Sequence, residues 1–148
     1  MKKSLLAPCL MLVIITLFFS ACGGPTPYKT PSPGEWDALD GSFKLLESGE
    51  ISDFYLSLYG EDNESSVCLF SLGKNLPVVD GVAEYTFISN NLVGKTGYSI
   101  KVVFNSASTA TLFYEYNWCP GISDSHFIFD AAGNLRSIKG KSTVTLKN

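Results

Sequence analysis

The chain has 148 residues, with 11 basic and 14 acidic side chains, a formal net charge of −3 and a hydrophobic content of 45%. This length is typical of one domain, and the hydrophobic content excludes an intrinsically disordered chain. The acidic balance argues against a nucleic-acid-binding protein, which would carry a basic surface.

The first 21 residues have the pattern of a secretory signal peptide. Lys2 and Lys3 form a basic start, and the apolar run 5–19 follows them. Its length fits the hydrophobic region of a signal and falls short of the roughly 20 apolar residues of a membrane-spanning helix. Residues 1–21 are therefore predicted to be removed during export.

A lipid-attachment signal follows directly. Ser20 and Ala21 precede Cys22, and Gly23 and Gly24 come after it. This pattern resembles the lipobox of bacterial lipoproteins, in which the signal is cut before a cysteine that carries acyl chains such as palmitate. Because two or three acyl chains anchor a protein stably, Cys22 is predicted to hold the mature protein at the cell membrane, facing the extracytoplasmic side. An uncleaved anchor helix and plain secretion are the alternatives.

Residues 23–34, GGPTPYKTPSPG, are rich in proline and glycine. This composition predicts an extended, semi-rigid spacer without a core of its own. At about 3.1 Å per residue, it would hold the domain roughly 35 Å from the acyl chains. The mature chain is thus divided into lipidated Cys22 with a Pro-rich tether, residues 22–34, and a single β domain, residues 35–148.

From Glu35 onward, apolar residues recur with the two-residue period of half-buried strands, and Gly, Asn, Asp and Ser clusters separate them. The predicted strands are 43–45, 54–58, 68–72, 82–88, 98–104, 110–118, 126–129 and 135–146. This spacing predicts an all-β fold, an antiparallel β-sandwich of about eight strands, with a small lipocalin-like β-barrel as the alternative.

Charge is distributed unevenly along the predicted domain. Residues 35–64 hold nine acidic side chains and one lysine, whereas residues 131–148 hold four basic side chains and no acidic one. Opposite charges stabilise neighbouring strands. The first and last strands are therefore predicted to be neighbours.

Two cysteines remain unassigned, because Cys9 leaves with the signal and Cys22 takes the lipid. In an oxidising compartment, Cys68 and Cys119 are predicted to form a disulfide bond. The bond would contribute roughly 3 to 4.5 kcal/mol to the free energy of unfolding in the chain-entropy model. A reactive or metal-binding thiol pair is the alternative, which the absence of a CxxC spacing or a basic neighbour disfavours.

Tyr114, Tyr116 and Trp118 alternate along one predicted strand and therefore share a face. Such a face could be a glycan platform or part of the core. The core is favoured because Ala110 and Leu112 lie on the same face, and Trp118 is expected to pack on the disulfide beside it.

The one histidine, His126, follows Asp124 and Ser125. Strand alternation places Asp124 and His126 on one face and Ser125 on the other, so this tripeptide cannot itself form a catalytic triad. Asp124, His126 and Asp130 have no recognised metal-ligand spacing, and the acidic loop 61–64 lacks the pattern of a known calcium loop. We therefore expect no catalytic site, no metal and no cofactor.

Several short motifs span most of residues 34–119. They are Gly34-Glu35-Trp36, Gly49-Glu50-Ile51-Ser52-Asp53-Phe54, Cys68, Phe104-Asn105-Ser106-Ala107-Ser108-Thr109-Ala110 and Cys119. With them the domain resembles a small two-cysteine β domain that recurs in predicted bacterial lipoproteins and secreted proteins. The opening Gly-x-Trp is also similar to that of the lipocalins. No activity is established for the two-cysteine family, so the resemblance implies the fold and the disulfide and no active site.

These observations together predict a non-catalytic, lipid-anchored β domain of the cell envelope that acts as a binding or structural module. The expected partners are the membrane, through the lipid anchor, and an envelope protein or glycan, with no nucleic acid. A lipoprotein that binds a small apolar or glycan ligand is the alternative.

Overall fold

The computed structural model describes residues 26–59, 67–92, 94–119 and 126–148. The predicted signal peptide, Cys22 and the acidic loop 61–64 lie outside these ranges. The described residues form β1 (Gly34–Ala38), β2 (Gly41–Leu45), β3 (Glu50–Tyr59), β4 (Val67–Ser71), β5 (Leu76–Pro77), β6 (Val82–Asn91), β7 (Gly94–Phe104), β8 (Thr109–Tyr116), β9 (Trp118–Cys119), β10 (His126–Phe127) and β11 (Ile138–Leu146). They contain no helix long and apolar enough to cross a membrane.

Eight strands form one continuous antiparallel sheet in the order β4-β3-β2-β1-β11-β8-β7-β6. Strand β5 pairs with β3 beside this path, and β9 pairs with β10. The predicted antiparallel all-β class with about eight strands is confirmed. The first strand of the domain, β1, pairs with the last, β11, and Trp36 lies opposite Leu146. The first strand that the sequence predicted, 43–45, is β2 and is separated from β11 by β1.

The sheet curls until its two ends face each other across the core. Phe70 of β4, at one end, contacts Tyr98 of β7 and Tyr116 of β8, with ring centroids 5.0 and 5.3 Å apart. The result is a half-barrel. It combines the facing layers of the predicted sandwich with the continuous hydrogen-bonded path of the alternative barrel.

The inner face of the half-barrel is filled by alternating side chains of the strands. Val102 and Phe104 of β7 are fully buried, and Trp36 of β1 is fully buried opposite them. The Trp36 ring contacts Phe104 edge to face at 5.1 Å and stacks on Phe43 at 5.9 Å. Because strand side chains alternate between faces, a register shift of one residue would expose this whole core.

The described part of the Pro-rich segment, residues 26–33, lies against the domain. The backbone N–H of Tyr28 donates to the Phe104 carbonyl at 2.6 Å, and that of Ser32 donates to the Ala107 carbonyl at 3.0 Å. Only the residues before Tyr28 are therefore left to act as a spacer, which makes the spacer shorter than the composition predicted.

Candidate functional site

An aromatic cleft opens where the two ends of the curled sheet approach each other. Leu69 and Ser71 of β4 form one wall, and Phe87 of β6, Tyr98 of β7 and Trp118 of β9 form the other. The cleft has a volume of about 240 Å³. Its three aromatic side chains are half-buried, so each ring keeps part of its surface accessible to a ligand.

The three rings contact one another. The centroid of Phe87 lies 5.6 Å from that of Tyr98 and 5.5 Å from that of Trp118, and Tyr98 and Trp118 are 6.3 Å apart. Strand register produces this cluster. Phe87 lies opposite Tyr98 in the β6–β7 pair, and residues directly opposite each other project from the same face.

A disulfide bond joins the two walls of the cleft. Cys68 of β4 and Cys119 of β9 are bonded, with Cα atoms 5.1 Å apart and a sequence separation of 51. Both cysteines are buried. The predicted disulfide is thus confirmed, and it holds Leu69 and Trp118, the direct neighbours of the two cysteines, on facing walls.

Tyr98 lies at the centre of the aromatic cluster. Burial, and to a smaller extent the neighbouring Tyr85, raise the pKa of its phenol above the usual value. The hydroxyl of Tyr98 therefore stays protonated at neutral pH and acts as an uncharged hydrogen-bonding group. Lys74 lies over the ring of Tyr85, 4.7 Å from its centroid, and extends the cluster with a cation–π contact.

A second depression, of about 200 Å³, lies on the other face of the strands that carry Phe87 and Tyr98. Lys95, Glu115 and Ser137 contribute polar side chains to its lining. Glu115 lies opposite Ser99 and next to Tyr116 along β8, so its side chain projects to the face away from the aromatic cleft.

The structure separates the three aromatic residues that the sequence placed on one face. Tyr116 is buried and Tyr114 is half-buried against the core, which confirms the favoured core assignment for both. Trp118 lies instead in the wall of the aromatic cleft. Strand β8 ends at Tyr116, in the core, and β9 begins at Trp118, in the cleft. The core and the cleft therefore meet between these two residues.

The other residues considered from the sequence do not form a described site. His126 lies opposite Cys119 in the β9–β10 pair, and its side chain and Asp124 lie outside the described residues. A carboxylate oxygen of Asp130 accepts the backbone N–H groups of Ala132 and Asn134 at 2.9 and 2.8 Å. Asp130 thus stabilises its own turn. Within the described ranges, no group of three or more His, Cys, Asp or Glu residues could hold a metal ion.

No known protein family, curated protein or solved structure matches this chain. Its function is therefore inferred from its own residues.

Sequence reasoning missed Phe87 and Tyr98 as site residues. A signal for them exists, because a β-hairpin centred on residues 92–93 pairs Phe87 with Tyr98. No local sequence pattern predicts the contact of these two rings with Trp118, because that contact depends on the curl of the whole sheet.

Proposed function

We propose that this protein is a non-catalytic, lipid-anchored binding module of the cell envelope that holds a sugar ring of an envelope glycan in the aromatic cleft. The observation that carries the proposal is the cluster of three half-buried rings, Phe87, Tyr98 and Trp118, in a cleft open to solvent.

The chemistry of the cleft suits a saccharide. A pyranose ring has an apolar face of C–H groups, which the electron-rich face of an aromatic ring attracts. It also has hydroxyl groups at its edge, which need hydrogen-bond partners. Ser71 and the hydroxyl of Tyr98, both in the lining of the cleft, are such groups.

The size of the cleft favours a single ring over a long acyl chain. Its volume of about 240 Å³ lies below the roughly 300 Å³ at which pockets for drug-sized ligands begin. The centre of the half-barrel is filled by Trp36, Phe43 and Phe104. An apolar ligand that needs an enclosed cavity, as in the lipocalin-like alternative, receives less support.

Four of the described residues have clearly shifted pKa values. Burial raises the pKa of Tyr98 and Tyr114, and a hydrogen bond to a carboxylate raises that of Lys147. Backbone hydrogen bonds lower the pKa of Asp130. Each of these shifts moves the group away from neutrality, whereas proton transfer at pH 7 needs a pKa near 7.

Lipid anchoring rests on the sequence around Cys22. The basic start, the apolar run and the small residues before Cys22 support it. Mass spectrometry of the native protein should find diacylglycerol on Cys22. An unmodified Cys22 thiol would contradict the anchor.

A glycan array tests the proposed binding activity. A soluble form that begins at Gly23 is expected to bind glycans with exposed pyranose faces, and Phe87→Ala is expected to lose this binding. Phe113→Ala is the matched control, because Phe113 is 41% exposed and lies outside the cleft. Absence of binding by the unmodified protein, or equal loss in both variants, would contradict the proposal. Recovery of cleaved oligosaccharides would contradict its non-catalytic part.

A further inference from the structure

The Pro-rich segment is fastened to one end of the domain. Tyr28 and Ser32 are hydrogen-bonded to the backbone at Phe104 and Ala107, and Lys29 forms a 3.0 Å ion pair with Asp80. Asp80 and Ala107 lie in two neighbouring turns, residues 79–81 and 105–108, and Phe104 is the last residue of β7 before the second turn. We call the end of the domain that these turns form the tether end.

The fit at the tether end is close. A Cβ atom added to Gly81 would clash with the carbonyl of Tyr28. Gly81 also has a φ of +77°, a backbone conformation that favours glycine. Its own carbonyl accepts the N–H of Phe104 at 2.9 Å, which joins the two turns under the segment. The backbone of Tyr28 therefore packs closely against Gly81, and only glycine leaves room for it there.

The length of chain before this contact limits how far the domain can stand from a lipid anchor. Residues 23–27 separate Cys22 from Tyr28. Since a chain spans at most about 3.3–3.6 Å per residue, Tyr28 lies within roughly 20 Å of Cys22. If Cys22 carries the acyl chains, the tether end must lie close to the membrane surface.

The aromatic cleft lies away from the tether end. Strand β7 leads from Phe104, which bonds Tyr28, to Tyr98 in the cleft. At about 3.3 Å per residue, these two positions are roughly 20 Å apart along the strand. The turn between β6 and β7, with Leu92, lies farther along in the same direction.

The surface of the tether end suits a lipid headgroup region. Tyr28 is 40% exposed and Val79 is 65% exposed. Tyrosine is enriched at membrane interfaces, where its ring and hydroxyl each find a suitable environment. The charges of Lys29 and Asp80 cancel in their ion pair, so they give this surface no net charge.

We propose that the tether end of the domain lies against the membrane surface, so that the aromatic cleft opens away from the lipid. The inference rests on the lipid anchor of the proposed function and adds to it a partner surface, the bilayer, and an orientation. In this orientation the cleft faces envelope glycan that lies beyond the headgroups.

Two labelled variants of the full lipidated chain test the orientation. Ser108→Cys places a probe at the tether end, and Leu92→Cys places one at the opposite end; both positions are exposed. With Cys68 and Cys119 bonded and Cys22 lipidated, the added thiol is the reactive one. In vesicles of phosphatidylethanolamine and phosphatidylglycerol, a headgroup-attached quencher should quench the fluorophore at position 108 several-fold more than that at position 92. Equal quenching, or stronger quenching at position 92, would overturn the orientation.

A matched glycine pair tests the role of the fastened segment. Gly81 and Gly49 have φ values of +77° and +80°, but a Cβ at Gly49 meets no atom within 4 Å. Gly81→Ala should release the segment and reduce the difference in quenching, whereas Gly49→Ala should preserve it. An unchanged difference in folded Gly81→Ala would overturn this role. If Gly81→Ala does not fold, the quenching at positions 108 and 92 in the parent chain still tests the orientation.

Vesicle flotation separates the two proposals. A chain that fails to float contradicts the lipid anchor, and the orientation fails with it. A chain that floats but shows equal quenching at both labels contradicts the orientation alone.

Discussion

Two tryptophans in this chain occupy opposite environments. Trp36 is fully buried, and its indole N–H donates to the carbonyl of Ser32 at 3.2 Å. Trp118 is half-buried in the wall of the aromatic cleft. A ligand in the cleft therefore changes the surroundings of Trp118 and leaves those of Trp36 unchanged, so the two indoles provide a site probe and an internal control.

Lys147 forms ion pairs between the last residues of the domain and its first strand. Its Nζ lies 2.8 Å from Asp37 and 3.8 Å from Glu35, and its backbone N–H donates to the Glu35 carbonyl at 2.8 Å. The sequence predicted this neighbourhood from charge alone, because the acidic residues gather near the start of the domain and the basic ones near its end.

The hydrogen bond to Asp37 raises the pKa of Lys147 above the model-peptide value of 10.5. A raised pKa means that the ion pair stabilises the fold below pH 10.5 and that this contribution is lost as pH rises through the folded-state pKa. We therefore expect Lys147→Gln to melt at a lower temperature than the parent chain at pH 8. The difference should shrink above pH 10.5.

Melting curves measured between pH 8 and pH 11.5 check this expectation. Lys141→Gln serves as the control, because Lys141 is exposed on β11, the strand that ends just before Lys147. A difference between Lys147→Gln and the parent that stays constant through pH 11 would contradict the assigned ion pair.

At the scale of strands, period-two alternation predicted the longer elements well. Strands β6, β7 and β8 overlap their predicted ranges because buried residues recur at every second position over much of β7 and β8, although β7 begins at Gly94 rather than at Tyr98. Strand β1 was not among the predicted strands. Its sequence, GEWDA, has Trp36 as its one buried residue, so pairing with β2 and β11 rather than local pattern defines it.

Gly97 tests the hairpin that builds the cleft. A Cβ atom at Gly97 would clash with the backbone carbonyl of Phe87 on the paired strand. Gly97→Ala should therefore push β6 and β7 apart beside the cleft and lower the free energy of unfolding by about 1–3 kcal/mol. Gly73→Ala is the control, since a Cβ there meets no atom within 4 Å.

Urea unfolding of the two glycine variants provides the measurement. The Gly73→Ala variant should stay within about 0.5 kcal/mol of the parent chain, as surface substitutions usually do. Equal stability of the two variants would show that β6 and β7 do not approach as closely as described.

At the scale of the molecule, the sequence predicted the all-β class and the disulfide but not the curl. The curl depends on the accumulated twist of eight strands and on contacts such as Phe70 with Tyr98, which are distant in sequence. The candidate site follows from the curl, since its two walls come from β4 and from β6, β7 and β9. The Cys68–Cys119 pair was the one sequence feature that linked these walls.

Removal of this disulfide should weaken the whole fold. Replacing Cys68 and Cys119 together by serine is expected to lower the free energy of unfolding by roughly 3 to 4.5 kcal/mol, because the loop between them is no longer closed in the unfolded chain. Denaturant unfolding measures the difference, with the reduced parent chain as a second reference. A double variant as stable as the oxidised parent would contradict the role of the bond.

The most direct test of the proposed glycan site is an NMR titration of the soluble form with the oligosaccharide that binds best on the array. The indole N–H signals of Trp118 and Trp36 are followed together. We predict that the Trp118 signal shifts in a saturable way, that the Trp36 signal stays in place, and that Phe87→Ala weakens the saturation. Saturable binding that leaves the Trp118 signal unmoved, or that Phe87→Ala does not change, would contradict the aromatic cleft as the binding site.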